Sequence, residues 1–296
     1  MRYTLRRATE FVIESIVRLS GVLAIIFVVA IFGFLVREAA PILRHVTLGE
    51  MLSGTRWLPT STPPQFGMLP LILGSALVTL AAALIGVPLG VGCAIYIGEL
   101  ASPWLREVLK STVEFLAAIP SVVLGLLGLL VLAPFLRELL DLPVGLTALT
   151  GAGMLAFMAL PTIVSVSEDA LNAVPDSFRR NSLALGATRW QTISRVVVPA
   201  ARSGIVAATM LGIGRVVGET MTVLMVTGNA AVMPTKLTSL LRPVRTITAT
   251  IAAEMGETPQ YSDHYHALFL LGALLFATTF LVNLLGDLAV HRGQGG

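Results

Sequence analysis

The chain has 296 residues, of which 55% are hydrophobic and only 12% are charged. Soluble globular domains carry about 25% charged residues, so this composition excludes an ordinary soluble fold. The single cysteine, Cys93, excludes an internal disulfide and says nothing about the redox compartment. The formal net charge of +3 is spread over the segments between apolar runs without interleaved aromatic residues, which speaks against nucleic-acid binding.

Apolar runs of about 20 residues, long enough to cross a bilayer, recur along the chain. The first, at residues 19–36, follows a basic segment of residues 1–18 and exceeds the apolar core of about 7–15 residues found in a cleaved signal. The others occupy residues 69–97, 113–136, 144–167, 204–228 and 267–290. The sequence therefore predicts an all-α membrane protein with about six transmembrane helices, kinked at Pro88 and Pro120.

The basic residues favour one orientation of these helices. More of the 20 Lys and Arg residues fall in inner than in outer segments when both termini are cytoplasmic, as the positive-inside rule requires. We therefore expect a multi-pass protein of the bacterial inner membrane, with a cytoplasmic amino-terminal segment and a cytoplasmic tail at residues 291–296. A membrane core at residues 69–290 would include an inner loop at 168–203 and an outer loop at 229–266, and a further outer loop would occupy 37–68.

The inner loop has the pattern of two short helices that meet at a glycine. Pro175 and the residues after it form a helix-start signal, Gly186 suits a carboxyl-terminal cap, Thr188 can cap the next helix, and Pro199 closes it. The segment is too apolar for a solvated linker, so either the membrane surface or a protein partner should cover it. The apolar residues are Phe178, Leu183, Leu185, Trp190 and Ile193.

The glycine and proline spacing of this loop resembles the EAA loop of ATP-binding-cassette (ABC) importer permeases. Gly186 is followed by nine residues and then by Val196-Val197-Val198-Pro199, where the family has Ile-x-Leu-Pro, and Arg180-Asn181-Ser182 replaces the usual Glu-Ala-Ala. The resemblance implies a loop that docks on a cytoplasmic ATPase. Its coupling residues would be Leu185, Gly186, Ala187, Thr188, Arg189, Trp190, Gln191, Thr192 and Pro199. The chain contains no Gly-x-x-x-x-Gly-Lys-Ser/Thr phosphate loop, so the ATPase must be a separate chain.

The fifth apolar run contains two opposite charges. Arg215 and Glu219 are four residues apart, which predicts one helical face and an available ion pair. A charge at mid-bilayer costs about 2.5–3.5 kcal/mol on insertion scales, so such residues usually face a bundle interior or a water-filled path. Arginine suits an oxyanion, and Thr220 adds a hydroxyl. The alternative is an internal structural salt bridge without contact to substrate.

The segment Gly214-Arg215-x-x-Gly218-Glu219-Thr220 resembles the corresponding span of phosphate importer permeases. Similar stretches include Trp57 with Phe66-Gly67, residues 118–121, and residues 246–254 followed by His264, so the resemblance extends over residues 19–290. It implies the type I ABC importer permease fold and a path for inorganic phosphate. It also implies a second, homologous permease subunit, a cytoplasmic ATPase dimer and an external phosphate-binding protein. Sulfate and molybdate permeases share the fold and loop and remain alternatives.

Other functional classes fit the sequence less well. A transporter driven by an ion gradient could use Arg215 and Glu219 as a proton or ion relay, but it would not need a two-helix inner loop. His264 and His266, with Asp263 and Glu257 nearby, could bind a metal, yet two histidines do not make a closed site and a solvated loop is the favoured alternative. No nucleophile has an accompanying base, so the sequence predicts no catalytic residue, metal or cofactor.

Overall fold

The outermost helix, α1, covers Arg2–Ala39 and includes the first predicted run. The structure is a computed structural model that describes residues 2–292. The apolar side chains of α1 are exposed over most of its length, as expected of a helix surrounded by lipid. It packs along one side of the last helix, α14 (Asp263–Arg292), where the rings of Phe32 and Phe276 stack with their centroids 5.2 Å apart.

The outer segment after α1 is folded rather than an open loop. It contains a 3-10 turn at Ala40–Arg44, helix α2 at Leu48–Ser53, and a hairpin of β1 (Trp57–Leu58) with β2 (Gln65–Phe66). Thr47 and Glu50 form a capping box that starts α2, because each satisfies a backbone N–H of the other. The hairpin buries Trp57 and Phe66 in an outer apolar cluster with the start of α14.

Helices α3 (Leu69–Ile95) and α7 (Ala148–Asn172) form the centre of the bundle. Their backbones approach closely, since a Cβ built on Gly86 would lie 3.3 Å from the Cα of Ala156. Apolar side chains gain little by leaving lipid for each other, so such close approach of small residues is what holds membrane helices together. The helix α3 runs through Pro88 without interruption and ends in a π-helical turn, Tyr96–Leu100, slightly beyond the predicted residues 69–97.

The third predicted run, residues 113–136, is not one kinked helix. Helix α4 covers Pro103–Ala118, and α5 (Ser121–Leu127) continues through a π-helical turn (Gly128–Leu132) into α6 (Ala133–Leu139). Between them Ile119 and Pro120 are extended, with ψ of 126° and 139°. Proline disfavours the helical conformation of the residue before it, so Pro120 breaks the helix instead of bending it.

The inner loop is shorter than the predicted residues 168–203, because α7 continues to Asn172 and buries Glu168. It contains α8 (Asp176–Ala184) and α9 (Arg189–Thr192), followed by a π-helical turn (Ile193–Val197) and α10 (Val198–Ala200). Pro199 therefore lies inside the second helical stretch and does not close it. The chain turns by 70° after Ala200 and enters α11 (Arg202–Val217).

The fifth predicted run, residues 204–228, is also broken. Helix α11 ends at Val217, and α12 (Met221–Val226) begins after Gly218, Glu219 and Thr220. Glycine and β-branched threonine are poor helix formers, and the Glu219 side chain accepts a hydrogen bond from the backbone N–H of Thr222 instead of continuing the helix. Hydropathy alone predicts one continuous helix here, because the residues on both sides of the break are apolar.

The outer segment between α12 and α14 contains a 3-10 turn (Leu237–Leu241) and α13 (Ile247–Glu254). Since α14 begins at Asp263, His264 and His266 lie in its first turn, and the expected solvated loop is wrong for them. His266 is 7% exposed, and its Nδ1 lies 2.6 Å from the carbonyl oxygen of Glu38. Within the residues searched, no three His, Cys, Asp or Glu side chains are grouped to hold a metal. The predicted tail lies largely outside the described residues.

By length and composition, five helices within the described chain could cross a membrane. They are Ile13–Arg44, Leu69–Leu100, Ser121–Leu139, Ala148–Asn172 and Asp263–Leu284. The bent pair Arg189–Ala200 and Arg202–Val217 supplies a sixth if it is one span. This agrees with the prediction of about six.

Candidate translocation path and coupling surface

The two helix breaks described above meet inside the bundle. The hydroxyl of Thr222, at the start of α12, donates to the carbonyl oxygen of Ser121 at 3.0 Å, and Thr222 is fully buried. A Cβ built on Gly125 of α5 would lie 3.2 Å from the Cα of Thr222. The missing side chain at Gly125 therefore lets α5 and α12 approach each other this closely. Irregular backbone within a membrane is tolerated where protein or a water-filled cavity surrounds it.

Glu219 is the organising residue of the α11–α12 break. Its carboxylate accepts a hydrogen bond from the backbone N–H of Thr222 at 3.1 Å, and its carbonyl oxygen accepts one from the Thr248 hydroxyl at 3.0 Å. The side chain is half-buried. Thr220, also half-buried, donates its hydroxyl to the carbonyl oxygen of Gly218 at 3.3 Å. The polar groups of the break are therefore held by local contacts.

Arg215 does not pair with Glu219. It lies in the last turn of α11, whereas Glu219 follows the end of that helix, so the predicted common helical face is wrong. Among the described ion pairs none involves Arg215, and its one described hydrogen bond runs from Nη1 to the Thr162 hydroxyl of α7 at 3.3 Å. Because the side chain is exposed, the guanidinium keeps most of its donors available beside the break.

The inner loop exposes an apolar surface, which we call the coupling patch: Phe178, Leu183, Leu185 and Trp190. Leu185 is 90% exposed and Trp190 is 63% exposed. The turn between them has the predicted chemistry, with Gly186 at φ +85°. The side chains of Thr188 and Gln191 form a capping box at the start of α9. Exposed apolar side chains that lie together on one loop fit the sequence-based expectation of a docking partner.

The remaining predicted coupling residues have different surroundings. Gly186, Thr188, Arg189, Gln191 and Pro199 are exposed, and Ala187 is half-buried. Thr192 is buried, with its hydroxyl 3.0 Å from that of Ser182, so it holds the two loop helices together rather than facing outward. Arg189 donates to the carbonyl oxygen of Glu99 at 2.6 Å.

An ion pair that sequence analysis missed fastens the loop to the bundle. The guanidinium of Arg179 in α8 contacts the Glu99 carboxylate with an Nη2–Oε1 distance of 2.5 Å, and it also donates to the carbonyl oxygens of Leu171 and Val174. Hydrogen bonds to Glu99 raise the pKa of Arg179 above its ordinary value, against the opposing effect of burial. The two residues are 80 positions apart, and no sequence pattern links them.

A second missed network lies beside this pair, at the inner ends of α3, α4 and α7. The buried Glu168 carboxylate pairs with Lys110 at 3.2 Å and accepts a hydrogen bond from the Asn172 amide at 3.0 Å. Arg106 donates to the carbonyl oxygens of Ile97 and Gly98 and reaches the Asn172 side-chain oxygen at 3.3 Å. Buried charges need such partners, and these bonds hold α3, α4 and α7 together at their inner ends.

On the outer side, Glu254 is the centre of a cluster that we call the outer cluster: Trp57, Arg245, Glu254 and His264. The carboxylate accepts from the indole N–H of Trp57 at 3.0 Å, contacts Arg245 Nη1 at 2.5 Å, and lies 2.9 Å from His264 Nε2. Burial alone would raise the pKa of Glu254, but bonds from His264 and Trp57 and the charge of Arg245 outweigh it and hold that pKa below its ordinary value.

Comparison with known families then fixes the class of protein. Residues 86–292 match the family described as "Binding-protein-dependent transport system inner membrane component". The chain belongs to this family. The matched range contains both helix breaks and the coupling patch. The protein is therefore a multi-pass inner-membrane component of a transport system and not itself an enzyme.

Curated relatives cover most of the chain. It is 42% identical over 253 residues to the probable ABC transporter permease protein YqgH of Bacillus subtilis, covering 86% of this chain and 79% of the relative. It is 39% identical over 253 residues to the phosphate transport system permease protein PstC of Mesorhizobium japonicum, covering 79% and 75%. With PstC of Haemophilus influenzae, identity is 35% over 265 residues, covering 83% and 82%.

Solved structures share the fold. The MetNI methionine ABC transporter in an inward-facing conformation superimposes with a TM-score of 0.56 at 21% identity, covering 76% of this chain and 94% of that one. A bacterial alginate ABC transporter in complex with alginate-loaded periplasmic protein gives a TM-score of 0.59 at 16% identity, covering 84% of each chain. These identities establish the fold alone. The type I ABC importer permease fold expected from the sequence is confirmed.

Proposed function

We propose that this chain is a permease subunit of an ATP-driven importer and forms the path for inorganic phosphate. The observation that carries the proposal is the exposed Arg215 beside the α11–α12 break, a cation without an ion-pair partner among the described residues. Relatives that are 39% and 35% identical are named as phosphate transport system permease proteins. The more similar Bacillus subtilis relative is named as a permease without a substrate.

The chemistry at the break suits a tetrahedral oxyanion. A guanidinium offers forked donors that match two oxygens of phosphate, and the Thr220 hydroxyl lies in the adjoining turn. Glu219, engaged with the backbone of α12, would position the turn and not neutralise Arg215. Sulfate and molybdate present the same oxygen geometry, so the geometry alone does not separate them from phosphate, and the names of the relatives favour phosphate.

We infer a separate cytoplasmic ATPase dimer as the partner of the coupling patch. Leu185 and Trp190 project from a loop held rigidly by the Gly186 turn and the Thr188 capping box, which suits insertion into a groove on another protein. A coupling patch that faces the cytoplasm, together with six spans, would leave both termini in the cytoplasm. A second, homologous permease subunit and an external phosphate-binding protein would complete the importer, and membrane lipid would surround the outer face of α1.

Residues 69–290 would form the permease core, with α1 wrapping its outside; the packing of α1 against α14 supports this division. ATP binding would close the ATPase dimer and move the coupling patch. Arg179 and Glu99 would pass this motion to α3 and α7. Rocking of the two permease bundles would then expose the path to one side of the membrane at a time, with Arg215 offsetting anion charge in transit.

The decisive experiment is purification of the native complex in mild detergent, identification of its subunits, and reconstitution into liposomes that contain ATP. We expect radiolabelled phosphate to be taken up only with ATP, and an excess of sulfate or molybdate to compete poorly. Uptake of sulfate in preference to phosphate would show that sulfate, and not phosphate, is the substrate. Phosphate uptake driven by an ion gradient without any ATPase subunit would overturn the importer assignment.

The coupling patch has its own matched test. Trp190→Ala should remove most of the ATPase subunit from the purified complex, because it deletes an exposed aromatic anchor. Trp104→Ala is the control, since Trp104 is also strongly exposed but lies on α4, outside the patch. Equal retention of the ATPase in both variants would contradict the proposed docking surface.

A further inference from the structure

Helix α13 connects the outer cluster with the break between α11 and α12. Its carboxyl-terminal residue is Glu254, the centre of the outer cluster, and near its amino-terminal end the Thr248 hydroxyl donates to the carbonyl oxygen of Glu219 at 3.0 Å. At 1.5 Å of rise per residue, the six residues from Thr248 to Glu254 correspond to about 9 Å, so α13 is a short connection between the two contacts.

We propose that Glu254 and Trp57 are positioning residues for translocation, acting through α13 on the backbone of Glu219 and on α12. This inference rests on the proposed path at Arg215 and Glu219. The outer cluster makes no described contact with Gly218, Glu219 or Thr220, and it does not belong to the coupling patch.

The outer end of α13 is held by three separate segments of chain. Trp57 belongs to the β1–β2 hairpin, Arg245 precedes α13, and His264 lies in the first turn of α14. All three contact the same carboxylate, which is only partly exposed, and Trp57 itself is 3% exposed. A displacement of the hairpin relative to α14 must therefore either break these bonds or move α13.

The amino-terminal end of α13, which contacts the α11–α12 break, is also fixed. The Thr246 hydroxyl caps the helix by accepting from the N–H of Ala249, and the N–H of Ile247 donates to the Ser75 hydroxyl of α3 at 2.9 Å. Residues 247–250 are buried. Bonds at both ends leave little slack, so α13 moves as a unit.

The same segment holds α12 at both of its ends. Thr248 binds the carbonyl oxygen of Glu219 just before α12, and Arg245 Nε donates to the carbonyl oxygen of Asn229 just after it, at 2.9 Å. Since Arg245 also contacts Glu254, the carboxylate is one bond removed from the second attachment. Loss of the Glu254 charge, which lies in the outer cluster, should therefore weaken both attachments of α12.

The first test needs no substrate. Hydrogen–deuterium exchange of the purified complex should show the amides of residues 221–226 exchanging at least about threefold faster in Glu254→Gln than in wild type. Trp57→Phe, which keeps an aromatic ring and removes the donor, should act in the same direction. Glu257→Gln is the control, because Glu257 lines the same outer cavity but makes no described bond to Trp57, Arg245 or His264.

Thr248→Val removes the link between α13 and Glu219 and separates transmission from general loosening. In that background, Glu254→Gln can act on α12 only through Arg245 and Asn229, so it should raise the exchange of residues 221–226 by a smaller factor than it does with Thr248 present. Unchanged exchange in Glu254→Gln, or equal effects with and without Thr248, would overturn the proposal whether or not the protein carries phosphate.

The second test uses ATP-driven phosphate uptake. We expect Glu254→Gln and Thr248→Val each to lower Vmax by about fivefold with little change in KM. The double variant should be clearly faster than the product of the two effects predicts, because the two changes interrupt a partly shared connection. Effects that multiply in the double variant would overturn the proposal. Absence of phosphate uptake by the wild type would instead refute the proposed function and leave the exchange test decisive for α13.

Discussion

Arg179 and Glu99, 80 positions apart in the chain, form a 2.5 Å ion pair that joins the inner loop to the π-helical turn at the end of α3. The Glu99 side chain is only 8% exposed, and the same guanidinium bonds two carbonyl oxygens at the end of α7. Movement of the loop is thereby tied to two central helices of the bundle.

Arg179→Met should destabilise the protein strongly, because it leaves the buried Glu99 carboxylate without its partner. Breaking one side of a buried pair costs about 3–5 kcal/mol, so the thermal unfolding temperature in detergent should fall clearly. Arg180→Met is the matched control, since Arg180 is exposed and belongs to no described ion pair. Similar unfolding temperatures for both variants would contradict the fastening role.

Gly186→Val should uncouple ATP hydrolysis from uptake while the rest of the bundle stays folded. Gly186 has φ of +85°, and a Cβ there would meet nothing within 4 Å, so the penalty comes from the backbone alone. A left-handed conformation costs an L-residue about 1–2 kcal/mol, more for a β-branched side chain, and the loop should relax away from its docking shape.

The measurement for this variant is the ratio of phosphate transported to ATP hydrolysed in liposomes. Gly49→Ala serves for comparison, because Gly49 lies in α2, has no close neighbour and does not have a positive φ. Normal coupling in Gly186→Val would show that the turn geometry is dispensable.

Arg215→Glu should abolish uptake, and adding Glu219→Arg should not restore it. Arg215 lies in the last turn of α11 and bonds to Thr162, whereas Glu219 follows that turn and bonds to the backbone of Thr222. The two side chains do not pair, so exchanging their charges rebuilds no bond. Initial rates of phosphate uptake, normalised to the amount of assembled complex, check this. Rescue by the double exchange would revive the structural salt bridge and remove Arg215 from direct contact with anion.

Glu254 should make the outer segments sensitive to acid. Its pKa in the folded protein lies below the ordinary value of 4.5, so the unfolded chain binds a proton first as the pH falls. The stability that the carboxylate contributes is complete above that ordinary value and is lost as the pH falls through the lowered one.

This pH dependence is measured by comparing unfolding temperatures of wild type and Glu254→Gln over a pH series. The difference should be present at about pH 5 and should shrink as the pH falls below about 4.5. A difference that grows as the pH falls below about 4.5 would contradict the sign of the shift.

The sequence by itself determined the class of protein, the approximate helix count and the local shape of the coupling loop. Apolar runs of bilayer length identify spans because an unsatisfied backbone is too costly in lipid, so hydropathy carries most of the topology. The turn at Gly186 and the cap at Thr188 were also predictable, since both depend on contacts within a few residues.

Only the tertiary structure decided where spans break and which charges meet. Hydropathy does not distinguish a continuous apolar helix from two helices joined by extended residues. It therefore predicts one helix across the break at Ile119-Pro120 and one across the break at Gly218–Thr220. The helical spacing of Arg215 and Glu219 then suggested a pair that does not exist. Arg179 lies 80 positions from its partner Glu99, and Trp57 lies 197 positions from its partner Glu254. Such contacts exist only once packing has brought distant segments together.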